Sequence, residues 1–232
     1  VASPFFWLDL LTPEPDAAAA FYADVCGWTV RRSGGLLGLS AGDVPVAAVQ
    51  RLHDDAAPHW IGHLAVPDVA TACRRMTFVQ GAVLLEPEEL EGLGVQALVA
   101  DPVGAVLQLF QPAADTRVQR PSGAPGTLAW STLFAPRPDL GGRVYRTVLG
   151  WKGRAGPPPG LDDDDGPVAD LIDAGKEPPV PPQWFHHIAV ADLAEALARA
   201  DDADCEVLRP PGPRGALLID PWGAGFGLIQ AG

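Results

Sequence analysis

The sequence predicts an α+β fold: four βαβββ modules forming two tandem domains, each with a cleft between curled mixed sheets. Three observations predict it. The chain repeats itself at a near-constant spacing, each half repeats itself more weakly, and each module reads as one strand, one helix and three short strands. A shift of 123 positions lays Trp7 on Trp130, Leu10 on Leu133, Tyr22 on Tyr145 and Gly27-Trp28 on Gly150-Trp151. A shift of 124 lays Trp60 on Trp184, His63 on His187 and Asp68 on Asp192. A shift of 119 lays Asp101-Pro102-x-Gly104-Ala105 on Asp220-Pro221-x-Gly223-Ala224. Six of the seven tryptophans pair in this way, which chance explains poorly. The offset changes fall in Gly/Pro-rich segments, where loops tolerate insertion. Within the first half, Glu14 to Gly27 and Asp68 to Gly81 span the same 13 steps.

The elements follow in order. Phe5 to Leu11 alternates as a strand, with Phe6, Leu8 and Leu10 on one face and Phe5, Trp7, Asp9 and Leu11 on the other. The all-apolar face suits a covering helix, so the second face is expected to line the cleft. Pro15 and Asp16 start a helix whose Ala17, Ala20, Phe21 and Val25 form its apolar stripe, and Gly27 ends it. Short strands are expected near Trp28–Arg32, Leu36–Leu39 and Val46–Gln50. The second module has a strand at Trp60–Val66, a helix over about Asp68–Gln80, and strands near Val83–Leu85, Val95–Ala100 and Val106–Gln111. Asp101-Pro102-Val103-Gly104 is a turn signal before the last of these. Pro121, Ser122, Gly123, Pro125 and Gly126 have linker composition. The expected division is a domain over residues 1–112, a linker over 113–125 and a domain over 126–232.

Composition narrows the function classes. Hydrophobic residues make up 47% of the 232, enough for a packed core. No apolar run is long enough to span a membrane. Val1 to Trp7 shows no basic segment or cleavage pattern, so no signal peptide is expected. The net charge of −13 repels phosphate backbones, which argues against nucleic-acid partners. The odd, widely spaced Cys26, Cys73 and Cys205 fit buried free thiols in a reducing cytoplasm. Asp162 to Asp165, flanked by prolines and glycine, lacks calcium-loop spacing and is expected to be a solvated loop. His53 and His59, with Asp54 and Asp55 nearby, are expected in another solvated loop. Four modules in one chain already supply two clefts, so a monomer or a homodimer is expected.

The ordered motifs carry a resemblance. Phe21-Tyr22-x-x-x-x-Gly27-Trp28 followed by Asp101-Pro102-x-Gly104-x-x-x-Gln108 resembles the vicinal oxygen chelate superfamily of glyoxalases, bleomycin-resistance proteins and extradiol dioxygenases. Val144-Tyr145…Gly150-Trp151 and Asp220-Pro221-Trp222-Gly223 repeat the pattern, so the likeness covers almost the whole chain. It implies a divalent metal held by a His early in a module's first strand and a Glu late in its last. By position those slots hold Trp7 and Gln108 in the first half, Trp130 and Gly227 in the second, and residues near Ile61 and Phe185 in the middle strands. An indole cannot ligate a metal. No metal and no other cofactor is therefore expected.

The candidate site residues follow. Asp9 lies on the expected cleft face of an otherwise apolar strand, either open at the cleft mouth or partly desolvated. Functional and structural hydrogen-bonding roles both remain open for it, and Thr132 is its counterpart. His63 and His187 lie two residues beyond a ligand slot, on the same face. Each could be a general acid or base, or a core histidine bonded to backbone. His186 points the other way and reads as structural. Gln108 is expected to face the cleft and bond a carbonyl or hydroxyl, and Gln50 to line it from the fourth strand. Trp7, Trp130 and Phe5 could stack on a planar ligand, or simply fill the core.

Three functions compete. The first is a metal-free protein binding a small aromatic or polycyclic molecule through Trp7, Asp9, His63, Gln108, Trp130, Thr132 and His187, as the antibiotic-sequestering relatives do; an acidic surface suits cationic drugs. The second is a cofactor-independent lyase, isomerase or cyclase using Asp9 and His63 as acid and base. The third, a metal-dependent dioxygenase or glyoxalase, is the least supported by these residues. The first half, with an acid, a histidine and a glutamine, is the one expected to act.

Overall fold

The computed structural model describes residues 4–52, 56–116, 118, 120, 122–176 and 180–232. His53, Asp54 and Asp55 lie outside the described residues. Among the described residues the chain forms two eight-stranded mixed sheets and four helices, in two tandem domains. The first module is β1 (Phe5–Thr12), α1 (Pro15–Cys26), β2 (Thr29–Ser33), β3 (Leu36–Ala41) and β4 (Val44–Arg51). The second is β5 (His59–Ala65), α2 (Val69–Phe78), β6 (Ala82–Leu90), β7 (Gly94–Ala100) and β8 (Val106–Pro112). The third is β9 (Leu128–Ala135), α3 (Pro138–Leu149), β10 (Lys152–Arg154), β11 (Gly160–Asp162) and β12 (Pro167–Asp173). The fourth is β13 (Gln183–Val190), α4 (Leu193–Asp202), β14 (Glu206–Gly212), β15 (Gly215–Ile219) and β16 (Gly225–Gln230). The sheet orders are β2-β3-β4-β1-β5-β8-β7-β6 and β10-β11-β12-β9-β13-β16-β15-β14, and neither sheet closes. In every module the first strand runs parallel to the last. The remaining neighbours within each module are antiparallel.

Local chemistry sets the helix limits. Pro15 and Pro138 open α1 and α3, where a missing N–H costs nothing. Asp68 and Asp192 cap α2 and α4 by accepting from Thr71 N at 2.5 Å and Glu195 N at 2.9 Å. Gly27 and Gly150 end α1 and α3 at φ 71° and 78°, a conformation glycine adopts without strain. Gly141 and Gly142 bring α3 onto its sheet: a Cβ on Gly142 would lie 2.9 Å from Leu171 Cδ1, and one on Gly141 would meet Leu133.

Contacts divide the chain into two compact units. One holds Val1–Phe6, Gly62–Arg120 and Ser131–Trp184; the other holds Trp7–Ile61, Pro121–Trp130 and Phe185–Gly232. In the first unit α2 packs on α3, and in the second α1 packs on α4. Each unit is knitted by the same buried relay. In the second, Trp60 Nε1 donates to the Tyr22 hydroxyl at 2.9 Å, and that hydroxyl donates to Asp220 Oδ2 at 2.9 Å. Asp220 Oδ1 accepts from Trp222 N and Ala224 N at 3.0 and 2.8 Å. In the first unit Trp184, Tyr145 and Asp101 do the same at 2.8 and 2.9 Å, and Asp101 Oδ1 accepts from Val103 N and Ala105 N. The tyrosine and Asp-Pro-x-Gly motifs are thus parts of one device, which satisfies buried polar groups. Burial raises both carboxyl pKa values and holds both phenols well above their ordinary value.

Four expectations need correction. The faces of β1 do not alternate cleanly. Phe5 is 2% exposed, like Leu8 at 2% and Leu10 at 0%, while Phe6 and Trp7 are both half-buried. Phe5 sits edge-on to Trp184 with centroids 4.9 Å apart, so the demand of the aromatic core outweighs the strand period, and Phe5 offers no stacking surface. The expected short strand at Val83–Leu85 is the nine-residue β6, which crosses Pro87 by register shifts on either side of Leu85. Asp162 to Asp165 is not simply solvated: Arg120 clasps Asp163, which is 5% exposed, at 2.7 Å, and Lys152 bonds Asp164 at 2.9 Å. His59 opens β5 instead of lying in a loop, with its Nδ1 2.7 Å from Ala57 O.

Candidate functional site

The side of β1 away from Leu8 and Leu10 carries Trp7 and Asp9. Trp7 Nε1 donates to Asp9 Oδ1 at 3.0 Å. Both residues are half-buried. Across the parallel pair Asp9 is in register with Ala48, and Ala48 is in register with Gly38 on β3. Paired residues point to the same side of a sheet, so Asp9 looks over a floor of two small residues. Gln50 lies further along that side, opposite Leu11, and is exposed. Arg31, opposite Gly38, turns outward to Asp43 at 3.2 Å. The result is an indole bonded to a carboxylate, with two small, half-buried residues in the row opposite that carboxylate.

The corresponding row in the third module is filled. Arg154 is in register with Gly160, Gly160 with Asp170, and Asp170 with Thr132. Arg154 reaches over Gly160, where any Cβ would strike its guanidinium, to bond Asp170 at 2.7 Å, and it also pairs with Asp162. Asp170 and Thr132 are 3% and 1% exposed. The second half therefore carries an acid in this row as well. The acid has moved one strand across, from the position of Asp9 to that of Asp170, and is neutralised there. Arg154 and Asp170 escaped notice because a period-2 pattern does not say which neighbouring strand stands opposite.

His63 and Gln108 are brought together by the parallel β5–β8 register. His63 is half-buried, with its ring 6.3 Å from Phe6 and edge-on; Phe6 in turn lies 5.9 Å from Phe110. Gln108 is 8% exposed. The fourth-module pair is His187 and Gly227, in the same register. His187 is 2% exposed, and its ring occupies the space of the absent side chain: a Cβ on Gly227 would lie 2.6 Å from His187 Cγ and Nδ1. Burial pulls the His187 pKa down to about 4, against a hydrogen bond to the Arg214 backbone. Arg214 also lays its guanidinium 3.8 Å from the centroid of the Trp130 ring, which is 9% exposed. Trp130 and His187 are thus covered residues, whereas Trp7 and His63 are half-buried. Arg214 was missed because Pro213-Arg214 between two glycines reads only as a turn. His186 is 1% exposed, in keeping with a structural role.

The superfamily implies a divalent metal, and the residues at its slots do not fit one. Trp7 and Trp130 offer no lone pair, Gln108 offers a neutral amide, and Gly227 offers no side chain. Among the described residues no three His, Cys, Asp or Glu side chains converge. Two surface cavities lie elsewhere. One of about 280 Å³ is lined by Arg143, Arg146 and Leu171, and one of about 410 Å³ lies beside Cys73 and Glu86. Neither is lined by one of the candidate site residues. Among the described residues no helix is long and apolar enough to cross a membrane.

Residues 6–110 match the family model for a glyoxalase-like domain. The chain is 30% identical, over an alignment of 253 positions, to the anthracycline biosynthesis protein DauV of Streptomyces sp. (strain C5), covering 97% of this chain and 92% of that one. It is 32% identical over 113 residues to the putative glyoxylase CFP32 of Mycobacterium tuberculosis, covering 46% of this chain and 43% of that one. In fold it resembles the 2,3-dioxygenase LapB of Pseudomonas sp. KL28, with a TM-score of 0.63 and 14% identity over 99% of this chain and 93% of that one. It likewise resembles the Mn(II)-bound glyoxalase of Novosphingobium aromaticivorans, with a TM-score of 0.65 and 17% identity over 99% of this chain and 84% of that one.

Proposed function

Because the chain belongs to the vicinal oxygen chelate superfamily as a tandem glyoxalase-like member, we propose that it binds a planar polycyclic aromatic molecule of the anthracycline type without a divalent metal. The observation that carries this reading is the half-buried Trp7 indole, held at its nitrogen by Asp9, with the small Ala48 and Gly38 in the row opposite Asp9. A stacking surface fixed before the ligand arrives loses little entropy on binding. The net charge of −13 raises the local concentration of a cationic ligand. The relative named for anthracycline biosynthesis aligns with 97% of the chain, which supports a ligand of that class.

Titration with an anthracycline, followed by its own fluorescence, tests the reading. Trp7→Ala is expected to weaken binding roughly tenfold to hundredfold, the worth of about 1.5–3 kcal/mol of buried aromatic surface. Asp9→Asn, whose amide oxygen still accepts the indole N–H, should cost less than Asp9→Ala. Unchanged affinity in Trp7→Ala would sink the proposal. So would stoichiometric zinc, iron or manganese in purified protein that is lost on mutating His63.

A second reading, a cofactor-independent lyase, isomerase or cyclase, is favoured by one observation: the His63 imidazole is half-buried and set in register with Gln108. In this reading His63 moves a proton and Gln108 orients the substrate. Lost turnover with retained binding in His63→Ala would distinguish it from simple binding.

A further inference from the structure

The two halves treat their first-strand tryptophans differently. Trp7 has a carboxylate at its indole nitrogen and is half-buried. Trp130 has a guanidinium across its ring face at 3.8 Å and is 9% exposed. That guanidinium comes from the tip of the β14–β15 hairpin, whose register closes with Gly212 opposite Gly215 and leaves Pro213-Arg214 as a two-residue turn. Arg214 is exposed, so its charge keeps water while its guanidinium lies over the indole. The same residue bonds His187 through its backbone, and the His187 ring fills the space above Gly227. The corresponding β6–β7 hairpin tip of the first half is Glu91-Gly92-Leu93, with no planar side chain to offer.

We infer that Arg214 is an internal stacking ligand that occupies the aromatic slot of Trp130, so that the chain takes one planar aromatic molecule and not two. A guanidinium on an indole face is the same geometry that a flat, electron-poor ring would adopt there. Pro213 fixes one backbone angle of the turn and limits how far the tip can swing. Duplication supplied two slots, and the second is closed by the protein itself. This inference rests on the reading of Trp7 as a stacking surface, and its first test does not.

That first test needs no ligand. Acrylamide quenching of Trp130, obtained as the difference between each protein and its Trp130→Phe counterpart, is expected to rise at least threefold in Arg214→Ala while the melting temperature of the protein stays within a few degrees. Arg214→Lys, which keeps the charge without the plane, should fall between. The second test is the stoichiometry of a soluble hydroxyanthraquinone at saturation: one equivalent for the native chain and two for Arg214→Ala. Failure of the native chain to bind any would refute the proposed function but leave the quenching result to judge Arg214. Two equivalents in the native chain would overturn the inference. So would a Trp130 that stays shielded in Arg214→Ala, or one equivalent in that variant despite an exposed Trp130.

Discussion

Replacing Tyr22 by Phe removes one oxygen and leaves the ring in place. That oxygen accepts from Trp60 Nε1 and donates to Asp220 Oδ2, both at 2.9 Å. Trp60 and Asp220 are 5% and 3% exposed, so neither regains water when the hydroxyl is lost. A buried group left without its partner costs about 1–3 kcal/mol, more for a charge. Asp220 keeps its two backbone donors on the other oxygen, so about 2–4 kcal/mol is expected for the pair. At this chain length that is a fall of roughly 4–16 °C in Tm. Urea and thermal unfolding would measure it, with Tyr145→Phe as the matched change in the other unit. A cycle with Asp220→Asn separates the two bonds. The sign with pH follows from burial, which raises the Asp220 pKa above its unfolded value. The folded state then binds the proton more tightly, so native stability contributed by this group falls as pH climbs through the carboxylate range and is level above it. The deficit in Tyr22→Phe should therefore shrink in acid, where Asp220 is protonated. A loss below about 0.5 kcal/mol at neutral pH would refute the relay as a stabilising device.

Other outcomes are expected elsewhere. The His187 pKa is about 4 in the fold against 6.5 unperturbed, so the unfolded chain binds the extra proton between those values. Stability should drop as pH falls through that window, by up to about 3 kcal/mol, and His187→Asn should flatten the profile measured by urea unfolding. Gly142→Ala places a methyl 2.9 Å from Leu171 Cδ1, the end of a flexible side chain; with overpacking of about 1–3 kcal/mol set against about 1 kcal/mol of helix propensity gained, a net loss of at most about 2 kcal/mol is expected, and a larger loss in urea unfolding would show that Leu171 cannot turn aside.

The duplication, the module order and the superfamily were legible in the sequence because they are written in local terms: paired tryptophans, helix-starting prolines and aspartates, helix-ending glycines, and turns of Asp-Pro-x-Gly. The slots that lack metal ligands could be named by position for the same reason. What the motif residues do was not legible. Tyr22 finds its aspartate 198 positions away and Tyr145 finds its own 44 positions back, and no periodicity encodes such distances. Burial pattern also misjudged Phe5, because a strand's two faces are interchangeable in sequence until a neighbouring aromatic cluster claims one. The same limit hid Asp170, whose place opposite Thr132 depends on register with a strand that is distant in the chain. Sequence alone determined that this protein is a twice-repeated chelate-type fold with tryptophans where ligands would stand. Only tertiary structure decided that one tryptophan is half-buried with an acid at its nitrogen and the other is covered by Arg214, because both facts turn on contacts between side chains that local pattern leaves unspecified.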